Sequence, residues 1–82
     1  MSDIKGQIQF SDLQRGMRAV VVEIPDAPDV RRLREMGLNE GVEFVVAKVA
    51  PFGDTIEIRL LNYALCLRKR EAAPIVVRLI EA

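Results

Sequence analysis

Apolar positions along the chain change period twice, and each change marks an element. Residues 17–24, MRAVVVEI, read as a half-buried strand with Val20, Val22 and Ile24 on one face and Arg18 and Glu23 at exposed positions. Pro25 ends that strand, because it brings no N–H to a ladder. The spacing then lengthens to three. Val30, Leu33 and Met36 form a narrow apolar stripe, and Arg31, Arg32, Arg34 and Glu35 lie off it. Asp26 stands where an N-cap belongs, Pro28 fits the first turn, and Asp29 suits the positive end of the helix dipole. Gly37 follows where a helix exit needs a left-handed residue, and Leu38 is placed for the apolar contact that accompanies such an exit. A helix of about ten residues is marginal alone, so Leu33, Met36 and Leu38 must dock on something.

After the turn Asn39-Glu40-Gly41 the period returns to two. Residues 42–49 place Val42, Phe44 and Val46 on one face and Glu43, Val45, Ala47 and Val49 on the other, as in a central strand. Residues 50–54, APFGD, read as a hairpin loop in which Pro51 fixes the approach and Gly53 takes a positive φ. Residues 55–61 alternate, with Ile56, Ile58 and Leu60 inward. Asn62-Tyr63 turns the chain into a short strand over 64–69 that buries Leu65 and Leu67. A one-turn connector stops at Pro74, and a last strand over 75–80 closes on the first.

At the N-terminal side, residues 10–16 read as one helical or 3₁₀ turn capped by Ser11 or Asp12 and reversed at Gly16. Residues 1–9 are expected to be a loose leader with an extended end, and residues 10–82 a single domain. The expected fold is all-β: a small, nearly closed barrel of about five strands with one short helix inserted between strands 1 and 2.

Composition narrows the function more than the fold. The 82 residues make one small domain with a thin core. Lys and Arg together number 12 and so do Asp and Glu, a balance that argues against nucleic acid as a partner, since duplex binding needs excess cation. The stretch MSDIKGQIQF lacks the apolar core of a secretory signal, and no run is long enough to span a bilayer. A cytoplasmic protein is expected. There is no histidine, which removes the usual triads and histidine-bearing metal sites. The single cysteine, Cys66, is expected to be a buried small apolar residue. Asp12, Asp26, Asp29 and Asp54 are explained by turns and caps, and the glycines stand singly, so no phosphate loop can be drawn. No catalytic residue, cofactor or metal ligand is assigned, and the chain is not expected to be an enzyme. The clusters Arg31/Arg32/Arg34 and Arg68/Lys69/Arg70 read as solvated charged faces, Arg68 and Arg70 sharing one side by strand alternation. Phe52, at the hairpin tip, is the aromatic left for a partner.

Four pieces stand in order: FSDLQRGM, RRLREMGLNEGVEFVVAKVAPFGD, IEIRLLNYALCLRKREA and a final IVV. Together they resemble the FeoA family, the small cytoplasmic component of bacterial ferrous iron transport, from about residue 10 to residue 80. The resemblance implies an SH3-like barrel and an accessory role beside FeoB, the membrane GTPase that moves Fe²⁺ inward. It also implies kinship with the C-terminal domain of iron-dependent repressors, the source of the family's metal-binding label.

Two functional expectations follow, with a third left open. The first is a binding module that docks on the cytoplasmic face of a FeoB-type transporter and modulates Fe²⁺ uptake, Fe²⁺ being cargo and not cofactor. The alternative is a transition-metal-responsive regulatory domain like that of the repressors. The third is a barrel that forms homo-oligomers. Leu33, Met36, Leu38 and Phe52 are the expected partner-facing or partner-supporting residues, and Gly37, Gly41 and Gly53 the structural turns.

Overall fold

The alternating runs become one antiparallel sheet in the computed structural model, which describes residues 7–80. Its six strands are β1 (Gln7–Gln9), β2 (Arg18–Glu23), β3 (Glu43–Val49), β4 (Thr55–Arg59), β5 (Ala64–Arg68) and β6 (Val76–Leu79), ordered β1-β6-β2-β3-β4-β5. Helix α1 (Pro28–Glu35) joins β2 to β3, and the short α2 (Lys69–Ala72) joins β5 to β6. A 3₁₀ turn, Phe10–Asp12, follows β1 directly, and α2 follows β5 directly. The two turns pack on each other, which brings the ends of the sheet together without a ladder between them among the described residues.

The architecture is mainly β with the expected helix, but it has six strands where five were expected. The added strand is Gln7–Gln9, paired with β6 through Ile8 opposite Val77. Its side chains are too polar to show an alternation, and β6 supplies the register. The leader is therefore strand at 7–9, and residues 1–6 lie outside the described residues. The helix consequently sits between the second and third strands.

The phase of β2 also differs from expectation. Ala19 and Val21 point into the core, while Val20 and Val22 are half-buried. Three consecutive valines leave the phase ambiguous, and a register shift between Val21 and Glu23 decides it. The extra residue of that bulge returns Ile24 to the interior. A second shift, between Val46 and Lys48, bends β3 against β4.

The core is continuous and entirely apolar among the described residues: its buried members include Phe10, Leu33, Leu38, Ile56, Ile58 and Ile75. Phe10 stacks on Phe44 with ring centroids 5.6 Å apart, tying the 3₁₀ turn to β3. Each such side chain removed from water contributes about 1.5–3 kcal/mol.

Five local expectations are corrected. Neither Ser11 nor Asp12 caps the 3₁₀ turn, whose preceding residue is Gln9. Asp26 is not the N-cap of α1: that position is Ala27, with Pro28 first in the helix, and Asp26 instead lies 3.6 Å from Arg31. Cys66 is exposed. Alternation explains it, since Leu65 and Leu67 are both buried and the residue between them must face out. Gly53 is not among the glycines with positive φ, so the hairpin closes without a left-handed residue there. Arg70 belongs to α2 rather than to a strand.

Candidate docking face

The exit of α1 is built by a reciprocal pair of backbone bonds. The Leu38 N–H donates to the Leu33 carbonyl at 3.0 Å and the Gly37 N–H to the Arg34 carbonyl at 3.0 Å. This is the Schellman pattern, which needs a left-handed residue at Gly37, and Gly37 has φ +108°. The accompanying apolar contact is between Leu33 and Leu38, both fully buried. Leu33 and Leu38 thus support this surface from beneath and cannot touch a partner. Met36, 37% exposed, is the one member of the stripe left at the surface.

Tyr63 completes the exit. Its hydroxyl donates to the Met36 carbonyl at 2.7 Å, satisfying one of the acceptors that a helix end leaves over. A Cβ on Gly37 would collide with that hydroxyl, so glycine is required here for space as well as for φ. Tyr63 itself is held by the turn after β4, where its carbonyl accepts from the Leu60 N–H at 2.8 Å.

On the outer side of the exit, Arg34 lies 3.1 Å from Glu40, and the Glu40 carboxylate also accepts from the Ile24 N–H at 3.3 Å. Its own backbone N–H, then that of Ile24, then Arg34 hold the Glu40 carboxyl below the usual carboxylate range, against partial desolvation. The loop between α1 and β3 is thereby pinned to the end of β2.

Beside this exit opens a cleft of about 560 Å³ lined by Val42, Leu60, Leu61, Tyr63, Arg18 and Arg59, among others. Leu61 is 94% exposed and Tyr63 45%. With Met36 they make three of the four large apolar side chains that reach the surface among the described residues. The fourth is Phe52, wholly exposed in the loop between β3 and β4. The five residues of β4 separate that loop from Leu61, about 17 Å of strand. The four candidate residues therefore do not form one site: Met36 stands over Leu33 and Leu38 at one end, and Phe52 stands apart at the other. A smaller groove of about 400 Å³ near the hairpin is lined by Pro51, Lys48, Glu57 and Cys66 among others.

The basic clusters are largely neutralised. Arg31 meets Asp26 at 3.6 Å, Arg32 meets Glu71 at 3.3 Å, and Arg70 meets Asp54 at 3.5 Å. Among the described residues no group of three or more His, Cys, Asp or Glu side chains is placed to hold a metal ion. No helix among them is long and apolar enough to cross a membrane.

The FeoA domain model matches residues 8–79. The chain belongs to the FeoA family. It is 34% identical over 76 residues to the Fe(2+) transport protein A/Fe(2+) transporter FeoB fusion protein of Porphyromonas gingivalis, a match that takes in 92% of this chain and 9% of that protein. The chain thus spans under a tenth of the length of this curated relative. Among solved structures, the FeoA protein of Chlorobium tepidum is 36% identical, with a TM-score of 0.79 over 90% of this chain and 71% of its own. The zinc complex of FeoA from Stenotrophomonas maltophilia, described as a prokaryotic SH3 domain protein, is 29% identical, with a TM-score of 0.72 over 85% of this chain and 88% of its own. A manganese-dependent transcriptional repressor, 20% identical with a TM-score of 0.80 over 90% of this chain and 42% of its own, shares the fold. These matches establish an SH3-like β domain of a family linked to ferrous iron transport.

Tyr63, Leu61, Arg18 and Arg59 are the members of this face that sequence reasoning missed. Leu61 carried a signal: Leu60-Leu61 breaks the alternation of the strand, leaving one of two adjacent leucines to face out. Tyr63 carried none, because its partner lies 27 residues away.

Proposed function

We propose that the chain is a non-enzymatic accessory module that acts in the cytoplasm, docks on a FeoB-type membrane GTPase and modulates Fe²⁺ uptake. The observation that carries this reading is the relative in which the matching segment and a FeoB transporter are one polypeptide. A covalent link keeps two modules at an effective concentration of about millimolar. Modules joined at that concentration meet through their exposed surfaces, and the cleft beside the α1 exit is an exposed, largely apolar surface open to such a contact. Met36, above the buried Leu33 and Leu38 and bonded through its carbonyl to Tyr63, borders that surface.

The reading is tested by co-purifying the tagged chain with the FeoB-type transporter and by measuring Fe²⁺ uptake under iron limitation with the chain deleted. Retention of the transporter together with slowed uptake is the expected result. Unchanged uptake in the deletion strain overturns it.

A further inference from the structure

Four of the arginines are answered by carboxylates, at 3.6 Å (Arg31), 3.3 Å (Arg32), 3.1 Å (Arg34) and 3.5 Å (Arg70). Two that line the cleft are not. Arg18 and Arg59 both stand opposite Val45, one on each side of β3, so the three residues form one row across three strands. Both are exposed, and neither has a carboxylate within salt-bridge distance among the described residues. The strand spacing puts their Cα atoms about 10 Å apart. Half-buried Val45 lies between them, and Leu60, Leu61 and Tyr63 continue the apolar floor and wall. One carboxylate, Glu43, also lines the cleft, which leaves an excess of one positive charge.

We infer that this cleft receives an apolar side chain flanked by carboxylates, presented by an acidic–apolar segment of the partner protein. The inference rests on the docking reading above and adds the chemistry of the occupant. An exposed Leu61 beside a half-exposed Tyr63 gains from covering by apolar atoms. Two guanidiniums set either side of that floor favour a segment with acidic residues flanking the apolar one, and they disfavour a basic segment by like-charge contact. A nucleic acid fits less well. The Tyr63 hydroxyl is committed to Met36, and two unpaired arginines meet few phosphates.

The test is an NMR titration of the ¹⁵N-labelled full chain with the peptide acetyl-Glu-Leu-Leu-Glu-amide, run beside its lysine counterpart acetyl-Lys-Leu-Leu-Lys-amide. Saturable shifts of the Gly37, Val45 and Leu61 amides are expected with the acidic peptide. The Arg18→Gln/Arg59→Gln double variant should weaken that binding about tenfold, as should the lysine peptide. Both replaced side chains are exposed, and a wild-type pattern of dispersed amide signals verifies the variant's fold. The inference is overturned by absent or scattered shifts, by equal binding of the two peptides, by an unchanged double variant, or by a single-stranded oligonucleotide that saturates the same amides more tightly. If the acidic peptide binds as expected but the purified transporter does not bind the wild-type chain, the cleft chemistry stands and the docking reading fails.

Discussion

The two ends of β4 both expose a large apolar side chain, and they are built on opposite principles. At the hairpin end Phe52 stands in a loop closed by the Ala50 N–H on the Thr55 carbonyl at 3.0 Å and flanked by the Arg70–Asp54 pair at 3.5 Å. Those contacts fix the loop's base and leave Phe52 itself wholly exposed. At the other end Tyr63, two residues after exposed Leu61, is joined to the exit of α1 by its bond to Met36, over a floor of buried Leu33 and Leu38. Phe52 stands in the hairpin with no bond to its ring, whereas Tyr63 is held in a frame through its hydroxyl, with exposed Leu61 two residues before it. Binding surfaces that keep their shape lose less conformational freedom on association, so the framed end is the better docking face although Phe52 is the more exposed residue.

The contrast predicts unequal responses to mutation. Leu38→Ala should cost about 3 kcal/mol in urea unfolding, since it empties a fully buried site under the frame. Gly37→Ala should cost about 2 kcal/mol, from the left-handed φ of +108° and the collision with Tyr63. The matched change at the hairpin, Gly53→Ala, should stay within about 0.5 kcal/mol: its Cβ would meet only the Ala50 Cβ at 3.3 Å and the Thr55 nitrogen at 4.0 Å. Equal losses at the two glycines would erase the distinction between the ends.

Smaller effects sharpen it. Tyr63→Phe should cost about 0.5–1 kcal/mol, because the bond to the Met36 carbonyl is exposed and water can replace it. Glu40 gives the framed end an acid dependence. Its carboxyl is held below the usual range when folded, so its contribution is complete above that range and fades as pH falls through the lowered folded value. Glu40→Gln should therefore flatten the acid side of a stability–pH curve and leave the neutral side level. Phe52→Ser should be silent in stability, within about 0.5 kcal/mol.

Much of the frame was legible in the sequence. The shift from period two to period three at Val30 and the Gly37-Leu38 exit signal identify α1 and its stop, because both are local. What was not legible depended on partners distant in the chain. β1 exists through β6. The phase of β2 is set by a bulge against β6 that the run Val20-Val21-Val22 cannot reveal. Cys66 looked like core by residue type, yet its position between two buried leucines turns it outward. The candidate face shows the same division. Leu33 and Met36 were visible as part of a stripe and Leu38 as its exit contact, whereas the row of Arg18, Val45 and Arg59 appears only once three strands are in register.

The most direct test is the affinity of the purified, detergent-solubilised FeoB-type transporter for the immobilised chain, compared between Leu61→Asp and Phe52→Asp. Both positions are exposed, so neither change should disturb the fold. The expected result is wild-type binding by Phe52→Asp and loss of about tenfold or more by Leu61→Asp. Loss on Phe52→Asp with Leu61→Asp unaffected would contradict it and move the docking face to the hairpin.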